Sequence, residues 1–202
     1  MGMIIGLTGG MGMGKSTVSA MFEDAGIPVI DTDAICHDLQ KRGTKCYKEI
    51  VKAFGRSILN PDYTINRGKL RNIVFKDKGQ KALLEKILHP RIKQVAMEQY
   101  IELDCNLVVI DAPLLFEAGF DDIVTKVLVV FTSDEIQMER VLKRNPKLTP
   151  EIVKAFVKSQ MSISDKISRA DYLIENSGTI EDLQRKFDDL LEKIDKEVDE
   201  NA

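Results

Sequence analysis

The 202-residue chain has only three cysteines and two histidines, and their placement excludes whole classes of chemistry. Cys36, Cys46 and Cys105 are odd in number and lack C-x-x-C or zinc-finger spacing, so neither a disulfide framework nor a zinc site is expected. They read as reduced thiols of a cytoplasmic protein. His37 and His89 have no partner at metal-ligand spacing, which ranks structural or substrate-contact roles above catalysis. No apolar run approaches the roughly 18 residues of a membrane-spanning helix. Strong charge of one sign is also missing: the formal net charge is −3, so no global positive field recruits nucleic acid. Anionic substrates must then be met by local Arg and Lys clusters. Internal repeats and low-complexity segments are absent. A cleaved leader is not expected, because removing it would take away the first strand, which begins at about Met3. Gly2 does not read as a myristoylation site, since Gly6 stands where that motif requires Ser or Thr.

What is present is a soluble, globular composition, 44% hydrophobic and 30% charged, long enough for one substantial α/β domain with an insertion. The chain is organised around Gly9-Gly10-Met11-Gly12-Met13-Gly14-Lys15-Ser16, which fits the phosphate-binding pattern G-x-x-x-x-G-K-[ST]. A loop that wraps a polyphosphate must aim several backbone N–H groups inward, which glycines permit. The following helix adds unpaired N–H groups and the positive end of its dipole. Lys15 can reach the β- and γ-phosphates, and the Ser16 hydroxyl is placed for Mg²⁺. Context supports the pattern: Ile4-Ile5-Gly6-Leu7 reads as a buried strand, and Val18, Met21, Phe22 and Ala25 follow at helical spacing up to a stop at Gly26.

Pro28 to Asp31 reads as a second strand ending in Asp31-Thr32-Asp33, ahead of a helix with Ile35 and Leu39 on its inner face. Tyr47, Ile50, Val51 and Phe54 form another helical stripe, closed by Gly55. From Arg56 to Leu103 the pattern is a turn at Asn60-Pro61-Asp62, then helical stripes with a break expected at His89-Pro90. Leu107 to Asp111 is a continuous apolar run ending in a carboxylate, suited to a central parallel strand. Val127 to Phe131 and Tyr172 to Ile174 are two more strands. Between them lie helices from about Ser133 to Arg144 and from Thr149-Pro150, separated by Asn145-Pro146. A final helix capped by Thr179 carries Ile180, Leu183, Phe187, Leu190, Leu191 and Ile194, with a charged tail expected to fray beyond Asp195. The expected fold is therefore α/β, with a five-stranded, doubly wound parallel sheet, a helical insertion and a short helical lid. The division expected is a core at about 1–55, 104–132 and 170–202, an insertion at about 56–103 and a lid at about 133–169.

Several residues then become candidates. Asp111 is placed like a Walker B carboxylate that organises Mg²⁺ through water, although any strand ending in a turn Asp matches equally. Asp31 and Asp33 lie at a strand's carboxyl end, where open parallel sheets bind ligands. One of the two can serve only as a helix cap. Asp33 is favoured as the orienting carboxylate or base for an acceptor hydroxyl because it lies one step into the expected loop. Arg140 and Arg144, four apart on one helix, can offset the charge of a transferring phosphoryl group, or can simply pair with Glu135 and Glu139 on a wet face. Met11 and Met13 are explained as well by burial as by ligand contact. The residues leave three readings open: a kinase of one small molecule, a related nucleoside or nucleotide kinase, or a nucleotide-dependent switch or binding module. Against the switch, the chain has no N-K-x-D motif and no Gly three residues after Asp111.

The ordered segments Gly6 to Val18, Asp31-Thr32-Asp33, Leu88-His89-Pro90-Arg91, Asp111 to Glu117, Arg140 with Arg144, Gln160, Ala170-Asp171 and Asn176-Ser177-Gly178 resemble the bacterial dephospho-CoA kinase family across nearly the whole chain. That resemblance implies transfer of the ATP γ-phosphate to the ribose 3′-hydroxyl of dephospho-CoA, the last step of coenzyme A synthesis. It implies ATP and Mg²⁺ as cofactors, a cytoplasmic monomer or weak homo-oligomer, and neither nucleic acid nor membrane as partner. Catalysis would fall to Asp33, Lys15 and Arg140. Gly12, Met13, Gly14, Lys15, Ser16 and Thr17 would hold the nucleotide together with Arg144, and Asn176 and Gly178 would lie on the adenine side. Thr8, Asp33, Arg67, His89, Pro90 and Arg91 would meet the acceptor, and Ser16 with Asp111 the metal. Two departures stand out. Cys36-His37 replaces an Arg that many relatives carry, and Asn66 replaces an Asp before Arg67.

Overall fold

A computed structural model describes residues 2–200. Five strands form one sheet in the order β2-β3-β1-β4-β5, with β1 at Met3–Gly9, β2 at Val29–Asp31, β3 at Leu107–Asp111, β4 at Lys126–Phe131 and β5 at Tyr172–Glu175. The pairings of β1 with β3, β1 with β4 and β4 with β5 are parallel, with Leu7 opposite both Asp111 and Leu128. β3 and β4 are buried almost throughout, which is why their sequences are continuous apolar runs. β5 alternates buried and exposed residues, as an edge strand with one wet face does. The first strand runs to Gly9, two residues beyond its apolar stretch, so the phosphate-loop pattern begins while the chain is still in the sheet.

By contacts the chain divides into two units. One holds the residues up to Ile30 and those from Leu103; the other is Asp31–Glu102. In the first unit, α1 (Lys15–Asp24) and α9 (Ile180–Glu200) supply Val18, Met21, Phe22, Leu183, Phe187 and Ile194 to a core shared with Ile5, Leu7, Val109, Leu128 and Val130. Phe22 and Phe187 meet edge to face, with ring centroids 4.8 Å apart. α9 does not fray at Asp195. It continues to Glu200 because Val198 packs partly against the core, while Glu197 accepts the Tyr172 hydroxyl at 2.7 Å and lies 3.6 Å from Lys126. Residues 201 and 202 of that tail lie outside the described residues.

The same unit carries α6 (Asp134–Arg144), α7 (Pro150–Lys158) and α8 (Ile163–Ile167) between β4 and β5. The first two begin where capping chemistry predicts, at Ser133 and at Thr149 followed by Pro150. The five-residue α8 was not legible, since one turn and a half gives no periodic stripe.

The second unit is helical. α2 (Thr32–Leu39) and α3 (Lys45–Phe54) are followed by a one-turn 3-10 segment at Arg56–Ile58, then α4 (Arg67–Lys76) and α5 (Lys78–Leu103). Leu59 and Ile65 form an isolated antiparallel bridge around the Asn60-Pro61-Asp62 turn. The break expected at His89-Pro90 does not occur: α5 runs 26 residues with Pro90 inside it. Proline removes one N–H and crowds the carbonyl four residues earlier. Leu88, Ile92, Ala96 and Tyr100, four apart and buried on both sides of Pro90, hold the helix through that defect.

Replacing Phe187 by Ala removes both the ring contact and a fully buried side chain, and is expected to cost about 3–5 kcal/mol. Urea unfolding should show a lower midpoint with an unchanged slope.

Candidate active site

The loop between β1 and α1 is shaped by two residues with positive φ, Gly12 at 77° and Gly14 at 91°. A side chain on Gly14 would be strained and would strike the Asn176 amide, and one on Gly12 would strike Val141. Gly14 caps α1 without any side-chain hydrogen bond, whereas α2, α3, α4, α6, α7 and α8 each begin with a side chain accepting a first-turn N–H. The opening N–H groups of α1 therefore remain available to an anion.

Around this loop the first unit assembles a frame of polar side chains. Asn176 holds three elements together: its N–H donates to Phe131 of β4 at 2.8 Å, its side-chain amide to the Met13 carbonyl at 3.0 Å, and its carbonyl accepts from Arg140 at 2.9 Å. Gln137 of α6, almost wholly buried, donates to the Met11 carbonyl at 2.8 Å. Met13 is buried and its sulfur accepts the Gly10 N–H at 3.2 Å, so it is part of the loop's own packing. Neither Glu135 nor Glu139 is needed to explain Arg140, which donates one of its five guanidinium N–H groups to Asn176. Arg144, one turn further on, is exposed.

Lys15 and Asp111 form an ion pair across the β1 and β3 ends, with Asp111 buried and Lys15 largely so. Ser16, beside Lys15, is exposed. Thr8, expected at the acceptor, is fully buried and its hydroxyl donates to the Pro113 carbonyl at 3.1 Å. Gly178 is exposed, two residues beyond Asn176. Two residues escaped the sequence reading. Lys166 of α8, only 1% exposed, donates to the same Pro113 carbonyl at 2.9 Å and lies 3.2 Å from a Glu117 oxygen. Glu117 also accepts the Met161 N–H at 2.8 Å. Glu117 closes the segment Asp111 to Glu117, whereas Lys166 is one lysine among many in a charged stretch.

The remaining candidates belong to the second unit. Asp31, not Asp33, is the helix cap, accepting the N–H groups of Asp33 at 2.8 Å and Ala34 at 3.1 Å. Asp33 consequently lies in the first turn of α2 rather than in a loop, with its side chain exposed. Burial pushes the Cys36 thiol pKa up, the Gln40 hydrogen bond lowers it, and the charges of Asp33 and Arg67 then oppose each other, so both candidates lie within electrostatic reach of one thiol. Asn66 caps α4, accepting the Lys69 N–H at 2.9 Å, and donates to Asn60 at 2.8 Å. An Asp could make the first bond but could not donate the second. Burial pulls His89 below the usual histidine value, with Glu85 opposing. Arg91 donates to Gln94 at 3.1 Å.

A family model described as dephospho-CoA kinase matches residues 3–182. The chain belongs to the dephospho-CoA kinase family. A dephospho-CoA kinase of Lactobacillus johnsonii is 45% identical over 193 residues, covering 94% of this chain and 97% of that one. One from Listeria monocytogenes is 43% identical over 189 residues, covering 92% and 94%. Among solved structures, TT1252 from Thermus thermophilus is similar with a TM-score of 0.82, 33% identity and coverage of 95% and 97%. A dephospho-CoA kinase from Campylobacter jejuni gives 0.72, 29%, 97% and 98%. Membership makes the chain an ATP-dependent phosphotransferase. Among the described residues, no helix is long and apolar enough to cross a membrane.

Asn176→Ala leaves the Met13 carbonyl without its donor, at a cost of about 1–3 kcal/mol. Calorimetry should show a lower melting temperature, and nucleotide titration a weaker ATP affinity, because the loop and α6 lose their shared anchor.

Proposed function

We propose that the loop from Gly9 to Ser16 holds the phosphates of ATP, and that the chain passes the γ-phosphate to the 3′-hydroxyl of the dephospho-CoA ribose. The observation that carries this reading is the buried Lys15–Asp111 pair at the foot of a loop whose helix start is left uncapped. Lys15 exchanges Asp111 for phosphoryl oxygens when nucleotide binds. Gly12, Met13, Gly14 and Thr17 contribute to the same cradle, and Arg144 with the Asn176–Gly178 turn takes the remaining nucleotide contacts.

A metal ion is part of the proposal. Mg²⁺ keeps several of its waters and borrows phosphate oxygens, so it asks few ligands of the protein. The Ser16 hydroxyl and the Asp111 carboxylate, the latter through water, are the hard oxygen donors that fit it. Bound there, Mg²⁺ would neutralise charge on the β- and γ-phosphates.

Asp33 is assigned the acceptor hydroxyl. Asp31 is committed to capping α2, while the Asp33 carboxylate is exposed on the helix's first turn. It orients the hydroxyl and takes its proton as the oxygen attacks phosphorus and ADP departs. Arg140 stabilises the charge that spreads over the transferring oxygens. Arg67 and the His89-Pro90-Arg91 segment hold the acceptor, with Thr8 supporting the Pro113 turn. The proposed setting is the cytoplasm, as a monomer or weak homo-oligomer that engages neither nucleic acid nor membrane.

Asp33→Asn is expected to lower kcat by a factor on the order of 100 or more with little change in ATP affinity. Lys15→Ala should abolish turnover while leaving the fold intact by circular dichroism. A coupled assay should register ADP release with dephospho-CoA and none with nucleoside monophosphates; the opposite preference would overturn the assignment.

A further inference from the structure

Lys166 is the one lysine in the described chain that ranks among the largest fully buried side chains. Its Nζ is held by the Pro113 carbonyl at 2.9 Å and lies 3.2 Å from Glu117. An ammonium has three N–H donors, so these partners account for two. The third has no acceptor among the described residues. The same side chain lines a cavity with Gly10 and Met13 of the phosphate loop, together with Asp134, Gln137 and Gln160.

A purely structural tie does not require this choice of residue. Burying an ammonium costs more than burying a neutral side chain that could reach the same carbonyl. The cost is compounded by the neighbourhood, since Lys15 is close enough for its charge to act on Lys166. Burial is the largest influence lowering the Lys166 pKa, Glu117 opposes it, and Lys15 adds to the lowering. Two like charges set beside one loop, each balanced by a single carboxylate, are relieved when a polyanion binds near both.

We propose that Lys166 is a second phosphoryl-contacting lysine, donating its third N–H to the terminal phosphate of ATP, with Glu117 as the positioning residue that aims it. The proposal rests on the reading that the Gly9–Ser16 loop holds the phosphates of ATP. Lys166 keeps its proton throughout. Its charge offsets that of the phosphoryl oxygens as the bond between phosphorus and the ADP oxygen breaks and the bond to the acceptor oxygen forms. Through Pro113 and Glu117 it also links α8 to the turn after β3, so the residue that senses the terminal phosphate is carried by the segment between β4 and β5.

The test reads both lysines in one sample. Wild-type protein carrying ¹³C-labelled lysine is titrated with the non-hydrolysable β,γ-imido analogue of ATP and, separately, with AMP; Lys15→Arg and Lys166→Arg assign the two side-chain signals. Both are expected to shift with the triphosphate and not with AMP. A stationary Lys166 signal beside a shifting Lys15 signal overturns the proposal alone. If neither moves, the ATP reading of the loop fails and this proposal with it. In turnover, Lys166→Met is expected to lose kcat by about 100-fold and to bind the triphosphate analogue more weakly while binding AMP normally, with Lys166→Arg recovering part of the loss. An unchanged kcat in a folded Lys166→Met protein overturns it as well.

Discussion

Where water is scarce an ammonium and a carboxylate have to answer each other, and the Lys15–Asp111 pair does so at the ends of β1 and β3. An isolated ammonium at that depth would be costly, so the carboxylate at the end of β3 offsets it, where phosphoryl oxygens are proposed to bind. The sheet order sets this up. β1 lies between β3 and β4, so the loop that leaves β1 has a neighbouring strand end on either side, one offering Asp111 and the other leading through Phe131 to Asn176.

The loop itself has little to hold it. Glycines give it the positive φ angles it needs, and the same glycines leave it few side chains of its own to pack. The rigidity comes from elsewhere: Gln137 and Asn176 grip the carbonyls of Met11 and Met13, and Met13 turns its sulfur back onto Gly10. Arg140 joins the same frame through the Asn176 carbonyl. A residue proposed to stabilise charge in the reaction is thus tied to the support that shapes the proposed nucleotide cradle. Pre-placed donors of this kind need no reorganisation at the moment of transfer.

The five strands, their parallel sense and most helices were legible because each rests on a local signal. Continuous apolar runs marked the buried strands, and Ser133, Thr149 and Thr179 marked helix starts. The errors also have local causes. Pro90 reads as a breaker because propensity counts the lost hydrogen bond, whereas the buried stripe from Leu88 to Tyr100 outweighs it. Asp33 reads as a loop residue because sequence cannot say which of two carboxylates will turn back to cap the helix. The fraying expected of the charged tail overlooked Glu197 and Val198, whose partners lie on β4, β5 and in the core.

From the sequence alone came the phosphate loop, the order of strands and helices, and the family resemblance, all of which depend on residues close together in the chain or on segments in a fixed order. Tertiary structure decided what those residues do with one another. Lys15 is 96 residues from Asp111, Asn176 is 163 from Met13, and Lys166 is 53 from Pro113. No periodicity or spacing rule reaches across such separations. A buried lysine and a solvated one are the same letter until packing removes the water from one of them, and only then does Lys166 become a charge that requires an explanation.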